Sequence, residues 1–234
     1  MNTYKKTAIS VGVLFIVATV TNMLGNLSIK PILDAPDYLI QISANENLMI
    51  IASLLVLISA FASASIAIWL YPVLKKHHEA LALGSVGFRL MEGMLIIIGV
   101  VALLSLLTLS QEYVTAGASN ASLYQVSGTL LQTVKTWAGQ LSVLAFTTGA
   151  MMYYYVFYQS KLVPRWLSGW GFLGAALSLA SALLAIAGLL TPLSTVFILF
   201  NLIILVQEMV LAVWLIVKGF NSSAIAQSEK PEIK

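Results

Sequence analysis

The chain has 234 residues, of which 59% are hydrophobic and only 9% are charged, and its formal net charge is +3. A soluble domain of this length needs roughly a quarter of its residues charged to cover its surface, so the composition excludes a soluble globular protein. The absence of cysteine excludes disulfides, thiolate metal sites and cysteine nucleophiles. The composition is therefore that of a polytopic membrane protein.

Six apolar segments are long enough to cross a hydrocarbon core about 30 Å thick, which takes about 20 helical residues. In chain order, the predicted spans are 7–25, 48–71, 81–109, 133–157, 165–190 and 194–218. All the prolines lie between these spans or at their ends, where a missing backbone donor does no harm. We therefore predict an all-α, six-helix transmembrane domain over residues 1–220. A short polar tail at 221–234 follows, which we expect to be disordered.

The basic residues divide unequally between the two sides that six spans would create. The side that holds both termini carries Lys5, Lys6, Lys75, Lys76, Lys161, Arg165, Lys218, Lys230 and Lys234. The opposite side carries only Lys30 and Lys135. Because loops rich in Lys and Arg stay in the cytoplasm, we predict that both termini and the polar tail are cytoplasmic.

The fifth span is rich in small residues at four-residue spacing. Gly171 and Ala175 form one pair, and Gly174, Ser178 and Ala182 form a second ladder. Small residues at this spacing let helix backbones approach closely in lipid. We therefore expect this helix to pack at the centre of the bundle, and the alternative is that its ladder forms the seam of a homodimer.

Three charged residues fall deep inside predicted spans, away from the span ends, namely Arg89 and Glu92 in the third and Glu208 in the sixth. Each costs at least a few kcal/mol at depth unless it is paired or hydrated, so each needs a partner. Arg89 and Glu92 share a helical face, and Glu92 and Glu208 both lie about 0.4 of the way across the membrane from the cytoplasmic side. If the two helices touch, the three charges form one cluster.

This cluster would place one arginine beside two carboxylates, which leaves an excess negative charge in a medium of low dielectric constant. One carboxylate then holds a proton or a cation, and we expect it to be Glu208, because Glu92 has Arg89 on its own helix. The cluster and Asn201 are our candidate site for a small molecule or an ion. The alternative is structural, with Arg89 locking two helices and Glu208 protonated or bonded to Asn201.

The fourth span carries polar residues at heptad spacing, which drift by only about 20° per step around a helix. They are Thr133, Gln140, Thr147, Tyr154 and Lys161. We predict that Gln140, Thr147 and Tyr154 line a hydrated cavity. The alternative is that these side chains make hydrogen bonds between helices or to their own helix.

Other kinds of site find no support in the sequence. His77 and His78 are the only histidines, and adjacent side chains point apart on a helix, so we predict no metal site. No nucleotide-binding loop or nucleophile motif is present, so we predict no cofactor and do not expect catalysis. Nothing indicates binding to nucleic acid.

Three segments carry a resemblance to a known family. They are Arg89-Leu-Met-Glu92 in the third span, Val163–Gly171 at the start of the fifth, and Glu208–Phe220 at the end of the sixth. The first places two opposite charges inside a span, and the other two combine an interfacial proline or an intramembrane charge with aromatic residues. Together they resemble the bacterial membrane family classed as domain of unknown function 4386. The resemblance implies a six-helix bacterial membrane protein and implies no activity, substrate or cofactor.

These observations favour a multi-pass protein of the bacterial cytoplasmic membrane whose interior charges bind or move a small molecule or an ion. The first alternative is a non-catalytic scaffold, sensor or accessory subunit, and the second is a membrane-embedded enzyme. The lipid bilayer is the expected partner. A homodimer is a further hypothesis, because six helices are few for a solitary carrier.

Overall fold

The computed structural model describes residues 3–117, 120–191 and 194–228, and within these ranges it consists of helices and connecting turns without a strand. The helices are α1 (Thr3–Leu33), α2 (Tyr38–Ala44), α3 (Glu46–Leu74), α4 (Glu79–Ala116), α5 (Ala121–Ser160), α6 (Arg165–Ile186), α7 (Thr195–Val217) and α8 (Ser222–Ser228). Helices α1, α3, α4, α6 and α7 are long and apolar enough to cross a membrane. The all-α membrane fold predicted from the sequence is therefore confirmed.

Several helices extend well beyond the limits predicted for the spans. Helix α1 continues to Leu33, α4 continues to Ala116, and α5 begins at Ala121 rather than at residue 133. The predicted spans are shorter than the helices because hydropathy locates the limits of the hydrocarbon core and not the ends of helices. Polar residues continue the helix outside the core, as where Asn26 Nδ2 donates to Asn22 O at 3.1 Å.

The fifth predicted span ends early, since α6 stops at Ile186 rather than at residue 190. Gly188 follows with φ of 72°, the left-handed conformation that ends many helices. The expectation of a disordered tail is wrong for residues 222–228, which form α8 with Ala224 buried. Residues 229–234 lie outside the described part of the chain.

The six long helices form a closed ring in the order α1, α3, α4, α5, α6, α7 and back to α1, with each helix packed against its two neighbours. Helices α4 and α7 therefore face each other across the ring and make no extensive contact within the described ranges. Direct contact between these two helices, the condition under which we expected the charges to cluster, is therefore not what brings the charges together. Their charged residues instead approach each other across the interior.

Small residues allow the helices of the ring to approach closely. A Cβ atom added to Gly12 of α1 would lie 2.6 Å from the backbone oxygen of Ala212 in α7. The ladder of α6 faces α7 in the same way, since a Cβ atom on Gly174 would lie 3.1 Å from Ile204 Cα. Helix α6 is thus a member of the ring rather than its centre, and its ladder is used inside the chain and not left free for a dimer.

The two ends of the ring differ in what closes them. At the terminal end, where α1 begins and α8 lies, Lys76 Nζ donates to Tyr4 OH at 2.5 Å and Asn221 N donates to Leu162 O at 2.9 Å. At the opposite end, which we name the α2 end, Tyr38 OH of α2 donates to Gln125 O at 3.2 Å. Helix α2 therefore covers the bundle at that end.

A layer of four buried aromatic rings fills the interior of the ring on the side of the terminal end. The layer consists of Phe15, Tyr153, Tyr154 and Phe157. Tyr153 is its centre, with ring centroids 6.4 Å from Phe15, 4.5 Å from Tyr154 and 5.9 Å from Phe157. We refer to these four rings as the aromatic layer.

The substitution Gly12→Ala tests the close approach of α1 and α7. The added methyl group meets Ala212 O, so the helices must separate, and overpacking of this kind costs about 1–3 kcal/mol. Gly87→Ala is the matched control, because nothing lies within 4 Å of the added Cβ atom. We expect thermal unfolding in detergent to show a lower midpoint for Gly12→Ala than for wild type or Gly87→Ala. Equal midpoints for the two variants would contradict the packing described here.

Candidate functional site

Arg89 and Glu92 form an ion pair in the middle of α4. They lie three residues apart on one helical face, with Nη1 and Oε2 separated by 3.1 Å and with side chains only 3% and 11% exposed. The guanidinium lies over Phe146 of α5, with Cζ 5.0 Å from the ring centroid. The local pairing predicted from the sequence is therefore present, and α5 covers it.

A cavity of about 280 Å³ lies beside this pair in the interior of the ring. Arg89, Glu92, Glu208 and Asn201 all line it, so the structure brings together the four residues of the candidate site. Glu92 and Glu208 line the same cavity although they come from α4 and α7 on opposite sides of the ring. We name this space the central cavity.

Glu208 is held on the α7 side of the central cavity and lies next to the aromatic layer. Tyr153 OH donates to Glu208 Oε1 at 3.3 Å, and the carboxylate is largely buried. The only protein hydrogen bond found for Glu208 within the described residues thus comes from the layer that closes the cavity toward the terminal end.

Asn201 does not bond to Glu208, so that part of the structural alternative is wrong. Its Nδ2 donates to Ser181 Oγ at 3.0 Å and to Phe197 O at 2.8 Å, while Ser178 Oγ donates to its Oδ1 at 2.5 Å. Residues seven apart on one helix are separated by about 10 Å of rise, which is too far for a direct bond. Asn201 instead joins α7 to α6.

Three buried polar atoms of the central cavity have no hydrogen-bond partner among the described residues. They are Arg89 Nε, Glu92 Oε2 and Ser63 Oγ. Glu92 Oε2 has Arg89 Nη1 as an ion-pair partner at 3.1 Å, and the Ser63 side chain lies beside Glu92, so what these atoms lack is a hydrogen bond of good geometry. An unpaired buried polar group costs about 1–3 kcal/mol, so these atoms call for a partner from outside the chain.

Gln140, Thr147 and Tyr154, which we predicted to line a hydrated cavity, do not line the central cavity. Thr147 Oγ1 donates to Val143 O of its own helix at 2.8 Å, and Tyr154 OH donates to Gln207 Oε1 at 2.5 Å. The alternative of hydrogen bonds within and between helices is thus correct for these two residues. The heptad stripe marks a packing face of α5, and the wall lies on the adjacent face.

Sequence reasoning missed most of the polar lining of the central cavity. The residues involved are Thr19 of α1, Ser59 and Ser63 of α3, and Ser142 of α5. A serine in a membrane helix usually bonds to its own backbone, as Ser53 Oγ does with Met49 O at 2.8 Å. The four-residue spacing of Ser59 and Ser63 was the one available signal, and it does not distinguish a wall from a packing face.

A second cavity of about 200 Å³ continues from the central cavity toward the α2 end. The two cavities share Asn22, Ile96, Ser142 and Val143 in their linings. At the far side of the second cavity, Lys135 Nζ donates to Asn26 Oδ1 at 3.3 Å. A polar passage therefore runs from the buried ion pair toward the α2 end.

The passage changes the charge balance predicted from the sequence. Counted over both cavities, the lining holds two cations, Arg89 and Lys135, and two carboxylates, Glu92 and Glu208. The formal excess of negative charge is thus confined to the central cavity. The arrangement can hold a small ligand or ion close to two acceptors and one donor, with a second cation along the passage.

We expect Arg89→Ala to destabilise the protein far more than Glu92→Gln. Removing the arginine leaves two carboxylates without a cation in the central cavity, and breaking a buried pair in this way costs about 3–5 kcal/mol. A glutamine at position 92 is neutral and still forms hydrogen bonds. The comparison is made by thermal unfolding of both purified variants, and equal losses would argue that the cluster is fully hydrated.

The comparisons with known proteins identify one family. The profile described as Domain of unknown function (DUF4386) matches residues 10–219, which is most of the chain and contains the three segments that carry the resemblance, apart from Phe220 at the end of the third. Neither the comparison with curated proteins nor that with solved structures finds a match. With helices able to span a membrane and a match of this extent, the chain belongs to the DUF4386 family.

Proposed function

We propose that the chain is a six-span carrier of the bacterial cytoplasmic membrane that binds a small polar molecule or ion in the central cavity and moves it across the bilayer. Three buried polar atoms that make no hydrogen bond within the described residues, in a cavity of about 280 Å³, carry the proposal. A cavity of this size holds several waters or one small solute. The Arg89 donor and the two carboxylates suit a hydrated ion or a solute that bears both donors and acceptors.

The sixth span of this proposal is α5, whose polar residues lower its mean hydropathy below that of the other long helices. Two contacts indicate that it runs antiparallel to α4 along the length of both. A Cβ atom on Gly84 would lie 2.8 Å from Met152 Sδ near one end, and the rings of Tyr113 and Tyr124 lie 5.7 Å apart near the other. Helix α4 is long and apolar enough to span the membrane. Because α5 lies beside α4 along its whole length, we infer that α5 crosses the bilayer as well.

Movement across the membrane requires the cavity to open to each side in turn, and two features support this. The passage toward the α2 end already contains Asn26 and Lys135, and Met23, which lines the central cavity, is 42% exposed. On the other side, Tyr153 of the aromatic layer bonds to Glu208. A ligand that binds Glu208 breaks the hydrogen bond between Glu208 and Tyr153. Binding in the cavity is therefore coupled to the aromatic layer that closes it.

The orientation follows from the basic residues and is tested with reporter fusions. We expect reporters at residue 78 and at the C-terminus to be cytoplasmic, and reporters at residues 35 and 119 to be external, because the terminal end carries the excess of Lys and Arg. A cytoplasmic signal from residue 119 while both termini are also cytoplasmic would overturn six spans. External signals at both termini with a cytoplasmic signal at residue 119 would reverse the orientation and leave the fold intact.

The absence of cysteine allows a direct test of access to the central cavity. We expect Ser63→Cys to react with a charged, membrane-impermeant thiol reagent added from either side, in right-side-out and inside-out vesicles. Ser85→Cys is the matched control, because Ser85 is equally buried on α4 but does not line the cavity. We expect that variant to stay unmodified.

The pattern of labelling separates the competing functions. Modification of Ser63→Cys from both sides supports a carrier, whereas modification from one side alone indicates a receptor or sensor. Lack of modification from either side indicates a closed structural cluster, and either of these two results overturns the carrier. Glu208→Gln, introduced into Ser63→Cys, is expected to keep the fold but shift the ratio of labelling from the two sides, because the amide binds Tyr153 differently from a carboxylate.

A further inference from the structure

A third cavity, of about 580 Å³, lies at the terminal end, where the 161–164 turn and the start of α6 meet the end of α7. Its lining shares no residue with that of the central cavity. The proposed carrier function does not use it. We name it the basic cavity.

The charged lining of the basic cavity is entirely cationic. Lys161, Arg165 and Lys218 line it, and no carboxylate does. Within the described residues, none of the three forms an ion pair. Arg165 is held at the rim by Tyr158, with Nε donating to Tyr158 O at 3.4 Å and Cζ 5.2 Å from the ring centroid. Three cations within one concave site attract an anion.

The walls of the basic cavity are fixed by backbone contacts. Asn221 ties them together, since its N donates to Leu162 O at 2.9 Å and its Nδ2 donates to Lys161 O at 3.3 Å. Gly219, with φ of 75°, makes the turn that brings Asn221 into place. The cationic side chains therefore project from a backbone that is already held in position.

The position of the basic cavity favours a lipid over a soluble anion. It lies at the ends of α6 and α7, both of which are apolar enough to span the membrane. Trp166 lies beside it, with its ring centroid 6.5 Å from that of Trp170 and 6.4 Å from that of Trp214, which lines the cavity. Tryptophan prefers the membrane interface, and Trp166 is 57% exposed. An acyl chain can therefore lie along the indoles while a phosphate occupies the basic cavity.

We propose that the basic cavity binds the phosphate headgroup of an anionic phospholipid from the leaflet at the terminal end. The lysine side chains supply point charges. The first two amides of α6, those of Arg165 and Trp166, add donors at the positive end of a helix that has no side-chain cap. Clustered basic residues between membrane helices recognise anionic headgroups in this way.

The test compares lipid binding by the full-length protein in detergent, measured by native mass spectrometry. The probes are phosphatidylglycerol and phosphatidylcholine with identical acyl chains. The variant Lys161→Gln/Lys218→Gln removes two cations of the basic cavity. We expect it to weaken phosphatidylglycerol binding about 30-fold, since each basic residue near an anionic headgroup contributes roughly a factor of five. Binding of phosphatidylcholine should stay unchanged.

The matched control is Lys5→Gln/Lys6→Gln, which removes two exposed cations from the same end of the ring but outside the basic cavity. We expect it to change phosphatidylglycerol binding less than about 2-fold. If both double variants lost phosphatidylglycerol binding equally, the effect would be a general electrostatic attraction to basic residues. That result would overturn the proposed site. If Lys161→Gln/Lys218→Gln does not fold, Lys218→Gln alone should weaken binding about 5-fold.

A competition experiment on the wild-type protein identifies the source of the phosphate group. Inorganic phosphate at millimolar concentration should not displace phosphatidylglycerol, because it lacks the acyl chains that contact the tryptophans. Displacement by inorganic phosphate would identify a site for a soluble anion and overturn the lipid proposal. Equal affinity for phosphatidylglycerol and phosphatidylcholine would overturn it as well.

Discussion

The buried ion pair of Arg89 and Glu92 is the constraint around which the ring is organised, because charges inside a bilayer must be enclosed by protein or water. The neighbouring helices approach α4 closely at this level. A Cβ atom on Gly93 would lie 3.1 Å from Ala60 O of α3, and one on Gly149 of α5 would lie 3.4 Å from Arg89 Cγ. Small residues thus let α3 and α5 close over the pair from both sides.

Glu208 turns this enclosed pair into a site. It comes from α7 on the far side of the ring, so its carboxylate faces Arg89 across a space rather than within a helix contact. The space stays open because the aromatic layer lies on one side of it and serine and asparagine side chains line the rest. Polar atoms that lack partners inside a cavity are what distinguish a binding site from a packing contact.

Helix α7 links the central cavity to the basic cavity, since it carries Glu208 in its middle and Trp214 and Lys218 at its end. Glu208 and Lys218 are separated by about 15 Å of helix. The N-terminal half of α7 packs mainly on α6, through Asn201 and the small-residue ladder, while its C-terminal half packs on Gly12 of α1. A headgroup bound at Lys218 therefore anchors the helix that positions Glu208.

The sequence by itself determined the membrane class, the helical fold, the family resemblance and the depth of the three buried charges, because each depends on composition or on position along one helix. The tertiary structure alone decided which helices face each other. It closed α1 onto α7, turned Thr147 and Tyr154 away from the cavity, and left Ser63 unpaired inside it. Periodicity gives the angle of a side chain around its own helix but not which helix lies at that angle. The residues that line the site could therefore be identified only from the packing of the helices.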